Sequence, residues 1–450
     1  MANQLFIDEF VAKVDEEYCN RTPKSAAIAE DAKKSSPGGD YRSMVWWGPY
    51  PLVMDKADGA YLYDVDGNKY LDYASNWTST ILGNTPKEVV DAVNTAMNKE
   101  GVAMSAPHAE VYEWARLICD RIKSVEKVRF SCSGSEAGMF ALRTARAFTG
   151  KDKVIKLEGG FHGSYDPIHF HVGWGPWEKG MPQSLKQDIV MVKANDIAAT
   201  EKVIRENYQD CCGVIMEPIM AAGGMIPLDK EYVQFMRNIT RELGILLIID
   251  EVVTFRLAPG GGQEIYGIDA DLSYFGKTLA AGMPNGAFGG RADIMDLYNQ
   301  ADNPAPMFHS GTFIATPAVA AAGVASLKAM GKETLDRINE MGETLAERIR
   351  GVLDEKGIKA VLMGMGSLDN LHWREEALRN PDDAEDQVHD LKPIFNKLMM
   401  KRGFYVTGRN IFMISTPMGQ AEMDATVQAV SETLDEMKPV IQEMAPHLIK

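Results

Sequence analysis

The 450-residue chain carries 63 acidic against 47 basic side chains, a formal net charge of −16, and no Lys/Arg run interleaved with aromatics. That balance argues against a surface that tracks nucleic-acid phosphates, and 45% hydrophobic with 24% charged residues is the mixture of a folded globular protein, not of a disordered one. Five cysteines, Cys19, Cys119, Cys132, Cys211 and Cys212, show no CxxC spacing and speak against a disulfide framework or a zinc site.

The amino-terminal "MANQLFIDEF" lacks a basic start and an apolar centre, as a secretory leader would need, and no apolar run reaches the ~18 residues of a membrane span. The expectation is a cytoplasmic protein with no membrane partner. Residues 1–36 read as helical and charged, ended by Pro37, Gly38 and Gly39. "GAYLYDVDGNKYLDY" follows as strands around an Asp66-Gly67-Asn68 hairpin turn. "PKEVVDAVNTAMNK" is a helix opened by Pro86.

From about 105 to 325 helices alternate with short apolar strands: "KVRFSC", "KVIKLEG", "CCGVIMEP", "GILLIIDEV" and "GAFGG". Strands apolar on both faces predict an α/β fold with a mostly parallel sheet buried between helices. Helical periodicity returns over 328–356. "KAVLMGMGSLDNLHW" and "GFYVTGRNIFMIST" then read as strands of a smaller α+β layer, before an amphipathic helix over 420–442. The expected division is an amino-terminal segment (1–75) that covers the site, a large domain (76–327) and a carboxyl-terminal small domain (328–450).

Three pieces fall at the carboxyl ends of predicted strands, where open α/β sheets bind ligands. Ser133-Gly134-Ser135-Glu136 turns from a strand into a helix; it is either an anion cradle or an ordinary serine cap with Glu136 as its partner. Asp250 ends a run of apolar residues, so its carboxylate needs a partner: a metal, a buried cation, a protonated ring nitrogen or a helix to cap. Lys277 has Tyr274, Phe275, Leu279 and Ala280 beside it, and desolvation there would lower its pKa toward reactivity. His169 and His171 share a predicted strand face without a third ligand, so no metal is expected, and Cys132 reads as a small buried hydrophobe.

An anion cradle, a carboxylate and a desolvated lysine are together what pyridoxal phosphate requires. The motifs "SGSEAGMFALRTARAFTG", "GGFHG", "MEPIM", "IIDEVVTFRLAPGG", "FGKTLAAGMPNGAFGG" and "HSGTF" occur in this order. The chain resembles the class III, fold type I aminotransferases that bind pyridoxal phosphate, in the branch of glutamate-1-semialdehyde aminomutases and β-amino-acid aminotransferases. The resemblance implies that Lys277 is the Schiff-base lysine and proton shuttle, and that Asp250 holds the ring nitrogen protonated. It implies that Ser133, Gly134 and Ser135 bind the phosphate, that Phe161 and Val252 flank the ring, and that His162 and Glu217 border it. It further implies that Thr312 reaches the phosphate of the neighbouring subunit in a homodimer with shared sites. Glycines at 260–262 and 282–290 are expected to let backbone approach the cofactor.

The same resemblance points to Arg42 and Arg409 as carboxylate-binding groups, suited to bidentate contact, with Trp77 among the aromatics of a substrate pocket. The implied activity is transfer of an amino group from an amino acid, a β-amino acid in particular, to a 2-oxo acid by a ping-pong mechanism. The alternative is an aminomutase that keeps the amino group on one skeleton. A non-catalytic binding protein of the same fold fits less well with retention of both Asp250 and Lys277.

Overall fold

The computed structural model of the chain describes residues 4–172, 178–302 and 305–450. Its centre is a seven-stranded sheet in the order Lys127–Ser131, Gly286–Gly290, Leu272–Gly276, Leu246–Asp250, Cys211–Met216, Lys153–Leu157, Ile189–Val192. The last five run parallel to one another, whereas Gly286–Gly290 is antiparallel to both of its neighbours. The "GAFGG" segment therefore belongs to the sheet with reversed direction.

Strand Leu246–Asp250 shows why the sheet is buried on both sides. Leu246 and Ile248 pack with Ala137, Phe140 and Ala141 of helix Gly134–Thr149. Leu247 and Ile249 pack on the other face with Tyr232, Met236 and Ile239 of helix Lys230–Leu243. Period-two alternation sends successive side chains to opposite layers, and each such burial contributes about 1.5–3 kcal/mol relative to exposure. The strand must then be apolar throughout, and it is, up to Asp250.

Smaller sheets flank this core. Met54–Asp58, Tyr61–Asp64, Lys69–Asp72 and Phe404–Tyr405 form one, and Val361–Met365, Leu368–His372 and Ile411–Met413 form another. The Asp66-Gly67-Asn68 hairpin is present, with Asp64 Oδ1 accepting from the backbone N–H groups of Asp66 and Asn68. The stretch 403–416, expected to lie in one layer, divides: Phe404 and Tyr405 pair with Leu71 and Asp72, while Ile411–Met413 joins the other sheet. The helical entry is two helices, Gln4–Arg21 and Pro23–Ala32, and the 328–356 periodicity resolves into the end of Pro317–Ala329 and all of Lys332–Lys356. Among the described residues no helix is long and apolar enough to cross a membrane.

Candidate active site

The parallel strands deliver their ends to one edge of the sheet. Asp250 ends its strand, and the neighbouring strand, in register Asp250↔Tyr274, runs on to Gly276 and Lys277. Lys277 itself adopts φ +49° and opens a short turn over Lys277–Ala280. A Cβ on Gly276 would come to 3.2 Å from Gly134 Cα, and one on Gly134 to 3.0 Å from a Val252 methyl. Absence of both side chains lets the lysine-bearing strand end lie against the start of helix Gly134–Thr149. The result is a cavity of about 400 Å³ whose wall includes Ser133, Gly134, Ser135, Phe161, His162, Glu217, Asp250, Val252, Tyr274 and Lys277.

Asp250 is almost fully buried yet well supplied with donors. Its Oδ1 accepts from Val252 N at 2.9 Å, while Oδ2 accepts the hydroxyl of Tyr274 and faces His162 Nδ1 at 3.1 Å. His162 Nδ1 also lies 3.0 Å from the Tyr274 oxygen, and burial lowers the imidazole pKa. A neutral ring facing a carboxylate carries its proton on Nδ1, which leaves Nε2 buried without a partner among the described residues. Burial, with Asp250 adjoining, pushes the Tyr274 phenol well above its ordinary range, so it remains a donor.

Glu217 accepts from Phe161 N at 3.0 Å and Ala221 N at 3.1 Å. Burial first, and the charge of Asp250 second, push its carboxyl up to about 8. Burial pulls the Lys277 amine down to about 8, opposed by the Asp250 and Glu217 charges. The desolvation expected from the apolar neighbours of Lys277 is thus what the fold produces.

At the opposite end, Ser133 caps its helix: the hydroxyl accepts from Glu136 N at 3.1 Å, and Glu136 accepts in return from Cys132 N at 2.7 Å. The serine-cap reading of this turn is present. The cap takes up the Glu136 amide and leaves those of Gly134 and Ser135 without intrahelical partners, and the Ser133 hydroxyl keeps its proton to donate. This donor set fits pyridoxal phosphate, with hydroxyls and amides for an anion, a buried carboxylate for a ring nitrogen, a buried amine in the same cavity, and the glycine seam at Gly134 for room. Ser135 Oγ accepts from Ser164 N at 3.2 Å, tying the turn to the segment that follows His162.

Arg42, Trp77 and Arg409 also line the cavity. Ser75, Asn76, Trp77 and Thr78 all have positive φ (47°, 39°, 58° and 78°), a left-handed turn that costs about 1–2 kcal/mol per residue. Such strain concentrates at functional sites. The Arg409 guanidinium sits over the Trp77 ring at 5.9 Å and donates to Ala222 O at 3.2 Å; both Arg42 terminal nitrogens face Asn76 Oδ1, at 3.3 and 3.4 Å.

Several expectations need correction. The glycines of 260–262 and 282–290 do not line the cavity; a Cβ on Gly286 would meet Ser133 O at 2.2 Å and one on Gly261 would meet the Glu251 carboxylate. They serve close strand and loop packing. His169 and His171 lie in turns, not on a strand, and Cys132 is only partly buried. Thr312, expected to serve a neighbouring subunit and so needing no correction, is exposed and does not line the cavity of its own chain. Sequence reasoning missed Tyr274 as a partner of Asp250, taking it only as an apolar neighbour of Lys277. A buried tyrosine hydroxyl in an apolar strand demands an acceptor, and that was the available signal.

Residues 43–400 match the family model described as Aminotransferase class-III. A glutamate-1-semialdehyde 2,1-aminomutase of Clostridium novyi is 33% identical over 429 residues, covering 92% of this chain and 98% of that protein. The solved structure of a β-phenylalanine aminotransferase from Variovorax paradoxus superposes with a TM-score of 0.89 at 30% identity, covering 96% of this chain and 99% of the other. A transaminase solved with pyridoxal phosphate bound gives 0.87 at 30% identity, covering 94% and 99%. With the donor set described, these likenesses establish that the chain belongs to the class III aminotransferases and is a pyridoxal-phosphate-dependent transaminase of fold type I.

Proposed function

We propose that this transaminase takes a β-amino acid as amino donor and a 2-oxo acid as acceptor, in two half-reactions at one cavity. The observation that carries the reading is the pair of guanidinium groups lining the cavity, Arg42 and Arg409, with Trp77 beneath the second. A planar guanidinium binds a carboxylate through two parallel bonds, and two such groups lining the cavity that holds Lys277 suit a substrate whose carboxylate stands away from the reacting carbon. The β-phenylalanine aminotransferase named above supports the donor class.

In this reading Ser133, Gly134 and Ser135 hold the phosphate, Asp250 holds the ring nitrogen, and Phe161 and Val252 flank the ring. Pyridoxal phosphate bound there supplies an electron sink for the pair left when a proton leaves the substrate carbon. Lys277, its pKa lowered by burial to about 8 so that the neutral amine is within reach, tethers the cofactor and then takes that proton as base and returns it as acid. His162 and Tyr274 keep Asp250 oriented by donating to Oδ2. Glu217 anchors the Phe161 amide and so the loop at the ring's edge.

Thr312, exposed on its own chain, is assigned to the phosphate of a second subunit, which makes the working unit a homodimer with shared sites. The segment 1–75 acts as cover, 76–327 as the cofactor-binding domain and 328–450 as the small domain, and the protein works in the cytoplasm. A donor panel tests the function. β-Amino acids should convert the cofactor to its amine form stoichiometrically without added oxo acid, and a 2-oxo acid should restore it. No conversion by any β-amino acid, with isomerisation of an amino-aldehyde needing no oxo acid, would replace this reading by the aminomutase.

A further inference from the structure

Lys156, on strand Lys153–Leu157, is fully buried and takes no part in the mechanism above. Its ammonium donates to three backbone carbonyls, Gly160 at 2.9 Å, Ile168 at 3.0 Å and Phe170 at 2.8 Å. Among the described residues no carboxylate comes within ion-pair distance of it. A buried cation without a contacting counter-ion is costly, and an apolar side chain would fill this strand position without that cost. What the ammonium supplies is three N–H groups for three acceptors.

Those acceptors lie on both arms of one loop. Gly160 is on the outgoing arm, immediately before Phe161 and His162; Ile168 and Phe170 are on the returning arm, and Gly159 N donates to His171 O at 2.9 Å at its base. Between the two carbonyls of the returning arm, His169 sets its ring edge-on to Phe161 at 5.9 Å and faces Gly163 O at 3.3 Å. Fixing the separation of the arms therefore fixes where Phe161 and His162 stand.

We propose that Lys156 is a positioning residue for the cofactor pocket: its ammonium cross-ties the 157–171 loop so that Phe161 and His162 are held against the ring site. The inference rests on the assignment of those two residues to the cofactor. A neutral amine keeps only two N–H groups, so one carbonyl would lose its donor. Burial draws Lys156 down to about 7, opposed by Glu217 at the end of the neighbouring strand and by Glu178. His162 faces it from the loop, with Asp250 beyond. The cross-tie is complete below about pH 7 and loosens as pH rises through that value.

Two measurements test this. In Lys156→Met, amide hydrogen exchange over 157–171 should quicken and the dissociation constant for pyridoxal phosphate should rise about tenfold, the loss expected for bonds from a charged donor. Between pH 6 and 9 the parent's constant should carry a weakening centred near pH 7 that the variant lacks, while the contribution of Lys277 near pH 8 persists in both. Unchanged exchange over 157–171 would overturn the cross-tie while leaving the site assignment standing. Quickened exchange with unaltered cofactor affinity would overturn the assignment of Phe161 and His162. Should the variant not fold, the unsubstituted protein decides: exchange over 157–171, corrected for intrinsic rate, must accelerate from pH 6 to 9 relative to strand Leu246–Asp250, and equal behaviour of the two would reject the proposal.

Discussion

Asp250 and Tyr274 are register partners on adjacent parallel strands, and the hydroxyl of Tyr274 donates to the Asp250 carboxylate. Partners in register share a face of the sheet, so the pairing that builds the core also puts a phenol beside the carboxylate. Tyr274→Phe keeps the ring's packing and removes the bond. The expected loss is about 1.5–3 kcal/mol, the range for a hydrogen bond to a charged group, measured by urea unfolding of the cofactor-free protein. Unchanged stability would mean that His162 and Val252 alone satisfy Asp250.

Lys277 gives a kinetic prediction with a definite sign. Capture of pyridoxal phosphate needs the neutral amine, and burial holds that amine's pKa near 8 instead of 10.5. The capture rate of cofactor-free protein should therefore climb with pH and level off just above 8. A climb continuing past 10 would show that the side chain is solvated. Lys277→Ala should abolish the borohydride-reducible link and slow transamination by about 10²–10⁴, the usual contribution of a positioned general base.

What could be read in the sequence follows from the range over which each signal acts. Strand Leu246–Asp250, the Ser133 turn and the hairpin at Asp66-Gly67-Asn68 are local patterns, and each stands where expected. The reversed direction of Gly286–Gly290 was hidden because a short run of glycine and alanine carries no mark of direction. The bond from Tyr274 to Asp250 joins residues 24 apart, and the three carbonyls met by Lys156 depend on a loop with no regular period. Left-handed φ at Ser75–Thr78 has no glycine to announce it; only the tertiary setting holds those residues there.

Glu217 predicts how stability varies with pH. Its folded pKa, raised to about 8 from 4.5, means that the native state keeps a proton the unfolded chain gives up. Stability from this group is fully present below pH 4.5 and is lost as pH rises toward 8, with a slope of about 1.4 kcal/mol per pH unit for one proton. Glu217→Gln mimics the protonated form and should flatten that decline relative to the parent, as followed by urea midpoints from pH 5 to 8. Parallel curves for the two proteins would place Glu217 in a wetter site. The linkage of Lys277 in the parent acts above about 8, beyond the range compared.

Arg409 separates carboxylate recognition from chemistry. Its guanidinium is oriented by Ala222 O and the Trp77 face, and burial lowers its pKa, an environment that strengthens a bond to an incoming anion. Arg409→Ala should lower kcat/KM for carboxylate-bearing donors by about 10–100-fold, as for loss of a charged hydrogen bond, chiefly through KM. An amine of the same shape without a carboxylate should react equally well with parent and variant. Arg409→Lys should recover little, because an ammonium cannot stack its plane on the indole or form two parallel bonds. If Arg42→Ala instead carries the whole loss and Arg409→Ala none, the carboxylate rests at the amino-terminal side of the cavity, and Arg409 serves to hold Trp77 in its left-handed turn.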